Sequence, residues 1–212
     1  MPGAFRIPSP RQNDTVDMAL TDPPAALKSQ RLPLASVEGT LFRISHQKFS
    51  DPIFWSRRGL YRFDSPLAKY GVLYTGRTLE TALLEVFGDS WIKSRLTALA
   101  FLKEFDVCEI ALGRRLKVVN LSGKRLNPLG IDANIFASLA YDSTQRRAAV
   151  FMEHPDAPHG IRYPSQKNER LHNFALFSTP AAMAAVTISR RYPLLNHPHL
   201  FRLLQSYRVA LV

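Results

Sequence analysis

A chain of 212 residues with 46% hydrophobic content can bury one sizeable core, so one domain with a tail accounts for it. Twenty-eight Lys and Arg against 17 Asp and Glu leave a net charge of +11, which favours an anionic partner such as a phosphorylated small molecule, nucleic acid, acidic protein or lipid surface. The lone Cys108 excludes an intrachain disulfide and a cysteine zinc cluster, and no stretch approaches the roughly 18 apolar residues of a membrane span.

Residues 1–38 hold six of the 15 prolines without a sustained hydrophobic period, which predicts a flexible arm ahead of a domain over 39–212. Met1 to Pro8 lack the apolar core of a secretory signal, and the expected location is the cytoplasm. From Thr40 the pattern changes. Leu41, Phe42 and Ile44 read as a strand, and Val72-Leu73-Tyr74 as a short buried strand. Thr78 is placed to cap a helix over 79–87, with Leu79, Ala82, Leu83, Val86 and Phe87 on one stripe and Gly88 as its stop. A second helix is predicted from Trp91 to Lys103. Phe105 to Leu112 and Leu116 to Val119 then read as strand material. Asp132 and Ser143 are plausible caps for helices through Leu139 and Met152. Strands follow at 161–163, 174–177 and 186–189, and a last apolar segment ends at Val212. This irregular interleaving predicts an α+β fold.

Four side chains stand out against that background. Arg43 interrupts an apolar strand and should point opposite to Phe42, where a structural ion pair is the ordinary explanation. Glu85 lies about 220° from the centre of the apolar stripe on a helical wheel, the place of a solvated carboxylate. Ser165 follows Pro164 at a strand end, where a turn or cap is ordinary. Tyr74 sits in a buried strand, where core packing with a satisfied hydroxyl is ordinary.

Read together and in order, Phe42-Arg43-Ile44-Ser45, Tyr61-Arg62-Phe63-Asp64-Ser65-Pro66, Tyr70 to Gly76, Leu79 to Phe87 and Gly160-Ile161-Arg162-Tyr163-Pro164-Ser165 resemble the RES family. The family takes its name from a characteristic Arg, Glu and Ser, and the likeness runs from about residue 40 to Phe177. Asn173 to Phe177 look like its closing strand. The long arm and the Trp55-Ser56-Arg57-Arg58 segment depart from its pattern.

The resemblance implies a compact fold related to ADP-ribosyltransferases, with mixed sheets and flanking helices. It implies NAD⁺ as a substrate rather than a cofactor, and in many members the toxin role beside an Xre-like helix-turn-helix antitoxin. Carried over residue by residue, it makes Glu85, Arg43 and Ser165 catalytic, and Arg43, Arg62, Tyr74 and Ser165 the NAD⁺ contacts. No metal is implied. The expected reaction is cleavage of the nicotinamide–ribose bond, with water, phosphate or a protein side chain as acceptor. The last of these would make the chain a mono-ADP-ribosyltransferase.

Two other readings compete. A basic nucleic-acid-binding module would explain the charge, but the cations are scattered in doublets and no helix-turn-helix, zinc-finger or RNP-like pattern is present, so direct nucleic-acid binding is not expected. A metal site from His154, His159, His172, His197 and His199 lacks an acidic partner at ligand spacing. Gly123-Lys124 is not a P-loop, since Arg125 stands where Ser or Thr is required.

Overall fold

The structure, a computed structural model, describes residues 22–131 and 141–212. Strand β1 (Leu34–His46) leads through a long connection to β2 (Val72–Gly76) and helix α1 (Leu79–Ser94). Next come β3 (Leu96–Thr97), α2 (Leu99–Leu102) and the long β4 (Phe105–Asn120). Helix α3 (Asp142–Met152), β5 (Gly160–Pro164), β6 (His172–Phe177), α4 (Pro180–Ala185), β7 (Val186–Pro193), α5 (Leu200–Ser206) and β8 (Ala210–Leu211) complete the described chain.

Six strands form one mixed sheet in the order β1-β2-β6-β5-β4-β7. Strand β4 is the spine. Antiparallel β1 runs along one edge from Leu34↔Val119 to His46↔Phe105. Its other edge takes antiparallel β7 from Asp106 to Leu112 and parallel β5 at Val119 and Asn120. Because β1 also meets β2 at Phe42↔Gly76, the strands close back on themselves. The β5–β6 hairpin and β2, paired from Val72↔Phe177 to Gly76↔Asn173, thus face helix α1 across a short gap. The predicted α+β class with a mixed sheet and flanking helices is what is found.

Alternation along β1 sorts its residues between two layers. Phe42 and Ile44 pack under α1 and α5 with Leu83, Phe87, Trp91, Leu200 and Leu204. Leu41 joins Leu73, Ile110 and Leu176 on the opposite side, with Arg43 next along that side. A third cluster, with Phe63, Phe151, Tyr163 and Phe177, fills the space under α3.

Several elements differ from the sequence expectation. The described part of the expected arm is packed: Leu27 is fully buried, Leu32 is buried, and β1 begins at Leu34. These apolar groups are spaced irregularly between prolines, so no period announces them. The backbone N–H of Leu32 donates to Asp156 at 2.8 Å, which ties the segment to the loop after α3. Residues 1–21 of the arm, and the helix expected after Asp132, lie outside the described residues.

Helix α1 does not stop at Gly88 but runs to Ser94, closed by Arg95 in a left-handed conformation (φ 56°). Trp91 then stacks on Phe87 at 5.5 Å within this helix instead of starting a second one. The helix predicted to Lys103 is interrupted because Leu96 and Thr97 pair with Ala210 and Leu211, a contact made by the far end of the chain. The two strand runs between Phe105 and Val119 are one continuous strand. Val86, assigned to the apolar stripe, is 46% exposed, while Thr81 and Leu84 are buried.

Candidate active site

Helix α1 starts where the Thr78 hydroxyl accepts from the backbone N–H of Thr81 at 3.2 Å. Gly76, just before it, lets helix and strand touch. A Cβ there would lie 2.7 Å from the Ala82 nitrogen. This close approach brings the polar side of the helix against the β5–β6 hairpin, so Glu85 meets protein where the wheel alone predicts bulk water. One carboxylate oxygen of Glu85, Oε1, accepts from Asn173 Nδ2 at 2.6 Å and from Ser165 Oγ at 3.3 Å. Asn173 is fully buried and Ser165 is buried.

Burial raises the pKa of Glu85, and the bonds from Asn173 and Ser165 and the charges of Lys167 and Arg62 pull it back down. The side chain is nevertheless open to solvent. The carboxylate is therefore crowded by protein on one side and accessible on the other.

A Cβ at Gly88 would come within 3.0 Å of Lys167 Cγ, so the absence of a side chain lets the lysine stem lie across the helix. The Lys167 ammonium pairs with Asp89 one residue further along.

A second group of residues comes from β1, β2 and the segment between them. Arg43 Nη1 donates to the Tyr74 carbonyl at 2.7 Å, and its Nε is buried without a partner. It makes no ion pair among the described residues. Burial lowers the Arg43 pKa, as befits a guanidinium held away from water without a counterion.

The Tyr74 hydroxyl donates to Asp64 Oδ1 at 3.1 Å and accepts from the Phe63 N–H at 2.9 Å, so its polar end is committed to the fold. Its ring meets that of Tyr61 edge-on at 5.6 Å, and Tyr61 is 54% exposed. Fully buried Asp64 also accepts, through Oδ2, from Ser56 Oγ (3.1 Å), Leu60 N (3.1 Å) and Tyr61 N (3.2 Å). The Trp55-Ser56-Arg57-Arg58 segment thereby finds a role, because Ser56 bridges to Val72 at the sheet edge and helps hold this turn.

Arg62 projects from the same turn, buried, with its guanidinium carbon 4.8 Å over the Tyr141 ring. Its charge reaches Glu85, and both charges act on the buried Tyr163 phenol, whose pKa is held well above normal by burial and then by Glu85.

The structure therefore brings Glu85 directly against Ser165, and Arg43 directly against Tyr74, with the charge of Arg62 felt by the carboxylate. Sequence reading missed Asn173, Tyr61, Asp64 and Lys167 as parts of this arrangement. Asn173 carried one signal, a carboxamide opening an apolar strand. Cys108 sits opposite Arg43 in the β1–β4 register. Burial pushes its thiol up to about 11, which leaves it unreactive. The histidine rings serve local backbone. Nδ1 of His154, His159 and His197 accept from the N–H groups of Asp156, Lys117 and His199. Among the described residues no group of three or more His, Cys, Asp and Glu converges on a metal position.

A model of the RES domain matches residues 40–196. The chain belongs to the RES family. Arg43, Arg62, Tyr74, Glu85 and Ser165 all fall within the matched RES domain, and α5 and β8 lie beyond it. These last elements still share its core, through Leu200, Leu204 and Val209.

A chain of the crystal structure of the M. tuberculosis MbcT–MbcA toxin–antitoxin complex superposes on this RES protein with a TM-score of 0.60. The match covers 84% of this chain and 92% of that one, at 13% identity, a likeness of fold. No curated protein matches by sequence. Among the described residues no helix is long and apolar enough to cross a membrane.

Proposed function

We propose that this RES protein cleaves the nicotinamide–ribose bond of NAD⁺. The observation that carries this reading is the Glu85 carboxylate, crowded by Ser165 and Asn173, near Arg62 and still open to solvent. Nicotinamide leaves NAD⁺ as a neutral molecule, so no general acid is needed and one carboxylate suffices. The sugar left behind is oxocarbenium-like. An anion held partly out of water by protein gains more from that developing charge than a fully hydrated one. Ser165 and Asn173 act by holding Glu85 in position, each bonding Oε1 and leaving the other oxygen for the sugar.

Arg43 and Arg62 are suited to the pyrophosphate because a guanidinium presents a planar fork of donors to phosphate oxygens. For Arg43 the support is a buried, unpartnered Nε and the lack of any ion pair among the described residues. The aromatic contact expected of Tyr74 is shared with Tyr61, which offers the exposed ring while Tyr74 is anchored through Asp64.

Water, phosphate or a protein side chain can each complete the reaction, and net NAD⁺ loss is the reading we favour. We further propose that the chain is the toxin of a toxin–antitoxin pair with a helix-turn-helix partner. Support comes from the RES match and from a neighbour solved within a toxin–antitoxin complex.

Incubation of the purified chain with NAD⁺, with and without phosphate, followed by product analysis, tests the substrate and identifies the acceptor. Glu85→Ala and Arg43→Ala should each abolish NAD⁺ loss while leaving the circular-dichroism spectrum unchanged. Wild-type turnover by both variants would overturn the assignment.

A further inference from the structure

From Leu84 onward α1 walls a cavity of about 370 Å³ whose lining, which does not include Glu85, also holds Trp91, Arg95, Lys167, Tyr207 and Arg208. It is within the size range of small-molecule sites. Three of its lining residues are cations and none is acidic. Lys167 is paired with Asp89, and the Tyr207 hydroxyl donates to Glu80 at 2.5 Å. Neither Arg95 nor Arg208 makes a side-chain hydrogen bond or ion pair among the described residues. Two arginines without a counterion therefore line one hollow.

Their backbone adds a second observation. Arg95 follows α1 and Arg208 follows α5, and both are left-handed, with φ of 56° and 53°. Glycine or asparagine ordinarily fills such positions after a helix, because a Cβ is penalised there. Here both carry long cations instead, and both line the same cavity. The two turns are also joined, since the Ala210 N–H donates to the Arg95 carbonyl at 2.8 Å. Tyr207, partly buried and backed by the buried Trp91 at 6.5 Å between ring centroids, supplies an aromatic surface beside the charges.

We propose that this cavity binds a small organic phosphomonoester, with the phosphate on Arg95 and Arg208 and the organic body against Tyr207. Guanidinium forks match phosphate oxygens two by two, and an aromatic ring gives a sugar or base a surface to cover. Glu85 is not among the lining residues, and the proposal stands independently of NAD⁺ cleavage.

The test is calorimetric titration of the full chain with adenosine 5′-monophosphate, ribose 5-phosphate and inorganic phosphate. The key variant is the double substitution R95G/R208G. Glycine suits both left-handed turns, so it removes the side chains without endangering the fold. Lys93→Gln with Arg202→Gln removes the same charge from exposed positions outside the cavity. One phosphomonoester should saturate at one per chain. The glycine variant should weaken it by about tenfold or more, and Glu85→Gln and the control pair should leave it within about twofold.

Equal loss in the control pair would mean diffuse attraction to a basic surface, and loss in Glu85→Gln would place the ligand at the catalytic carboxylate. Saturation by inorganic phosphate alone, or by none of the three, would likewise overturn the proposal. None of these outcomes bears on whether Glu85 consumes NAD⁺, which the turnover assay reads separately.

Discussion

Removing the Asp64 carboxylate should loosen the turn that presents Tyr61 and Arg62. Asp64 is fully buried and accepts from four groups: the hydroxyls of Ser56 and Tyr74 and the N–H groups of Leu60 and Tyr61. In Asp64→Ala the two N–H groups, on a turn near the surface, regain water. The two hydroxyls do not, because Ser56 is 3% exposed and Tyr74 is anchored beneath the turn. A buried polar group left without its partner costs about 1–3 kcal/mol, so the variant should lose about 4 kcal/mol. For a chain of this size that lowers the melting midpoint by roughly 8–16 °C.

Asp64→Asn keeps the shape and one acceptor oxygen, so it should lose only about 1–2 kcal/mol. Differential scanning calorimetry gives the midpoints, and NAD⁺ turnover in the folded range shows whether KM rises as Arg62 loses its position. A midpoint for Asp64→Ala within about 2 °C of wild type would refute the claim that this carboxylate holds the turn.

Glu85→Gln should melt higher than wild type at neutral pH while losing NAD⁺ turnover. Because burial raises the Glu85 pKa, the folded state prefers the protonated form, and ionisation costs stability as pH rises above the ordinary value of 4.5. The advantage of the variant should therefore grow as pH rises above 4.5 and vanish below roughly pH 4, and a pH-independent gain in a series of melts would sink this account. Tyr61→Ala should change stability by no more than about 1 kcal/mol in urea titrations and should raise KM for NAD⁺. An unchanged KM would remove Tyr61 from the substrate contacts. Gly160→Ala should cost about 1–3 kcal/mol in the same titrations. Its Cβ would sit 2.5 Å from the Ala175 carbonyl and force the β5–β6 hairpin apart.

The strands around Arg43, Tyr74 and Ile161, the Thr78 cap and the start of α1 are written locally, since alternation, capping and apolar period act within a few residues. Arg43 pointing away from Phe42 followed from alternation alone. The ordered motifs also placed the chain with the RES family, because each preserves its residue types at fixed local spacing.

The surroundings of Glu85 are another matter. No wheel shows that Thr81, Leu84 and Gly88 are covered, because what covers that side of α1 is a hairpin some 80 residues downstream in sequence, with Ser165 and Asn173 separated from Glu85 by 80 and 88 positions. Gly88 reads as a stop when only local propensity is weighed, and as a passage for the Lys167 stem once the hairpin is in place. The break at Arg95 likewise depends on Ala210 and Leu211, and the packing of Leu27 and Leu32 on a core formed by α3. Local sequence chose the chemical groups. Long-range packing decided which of them meet, because burial and neighbouring charge are properties of the space between elements.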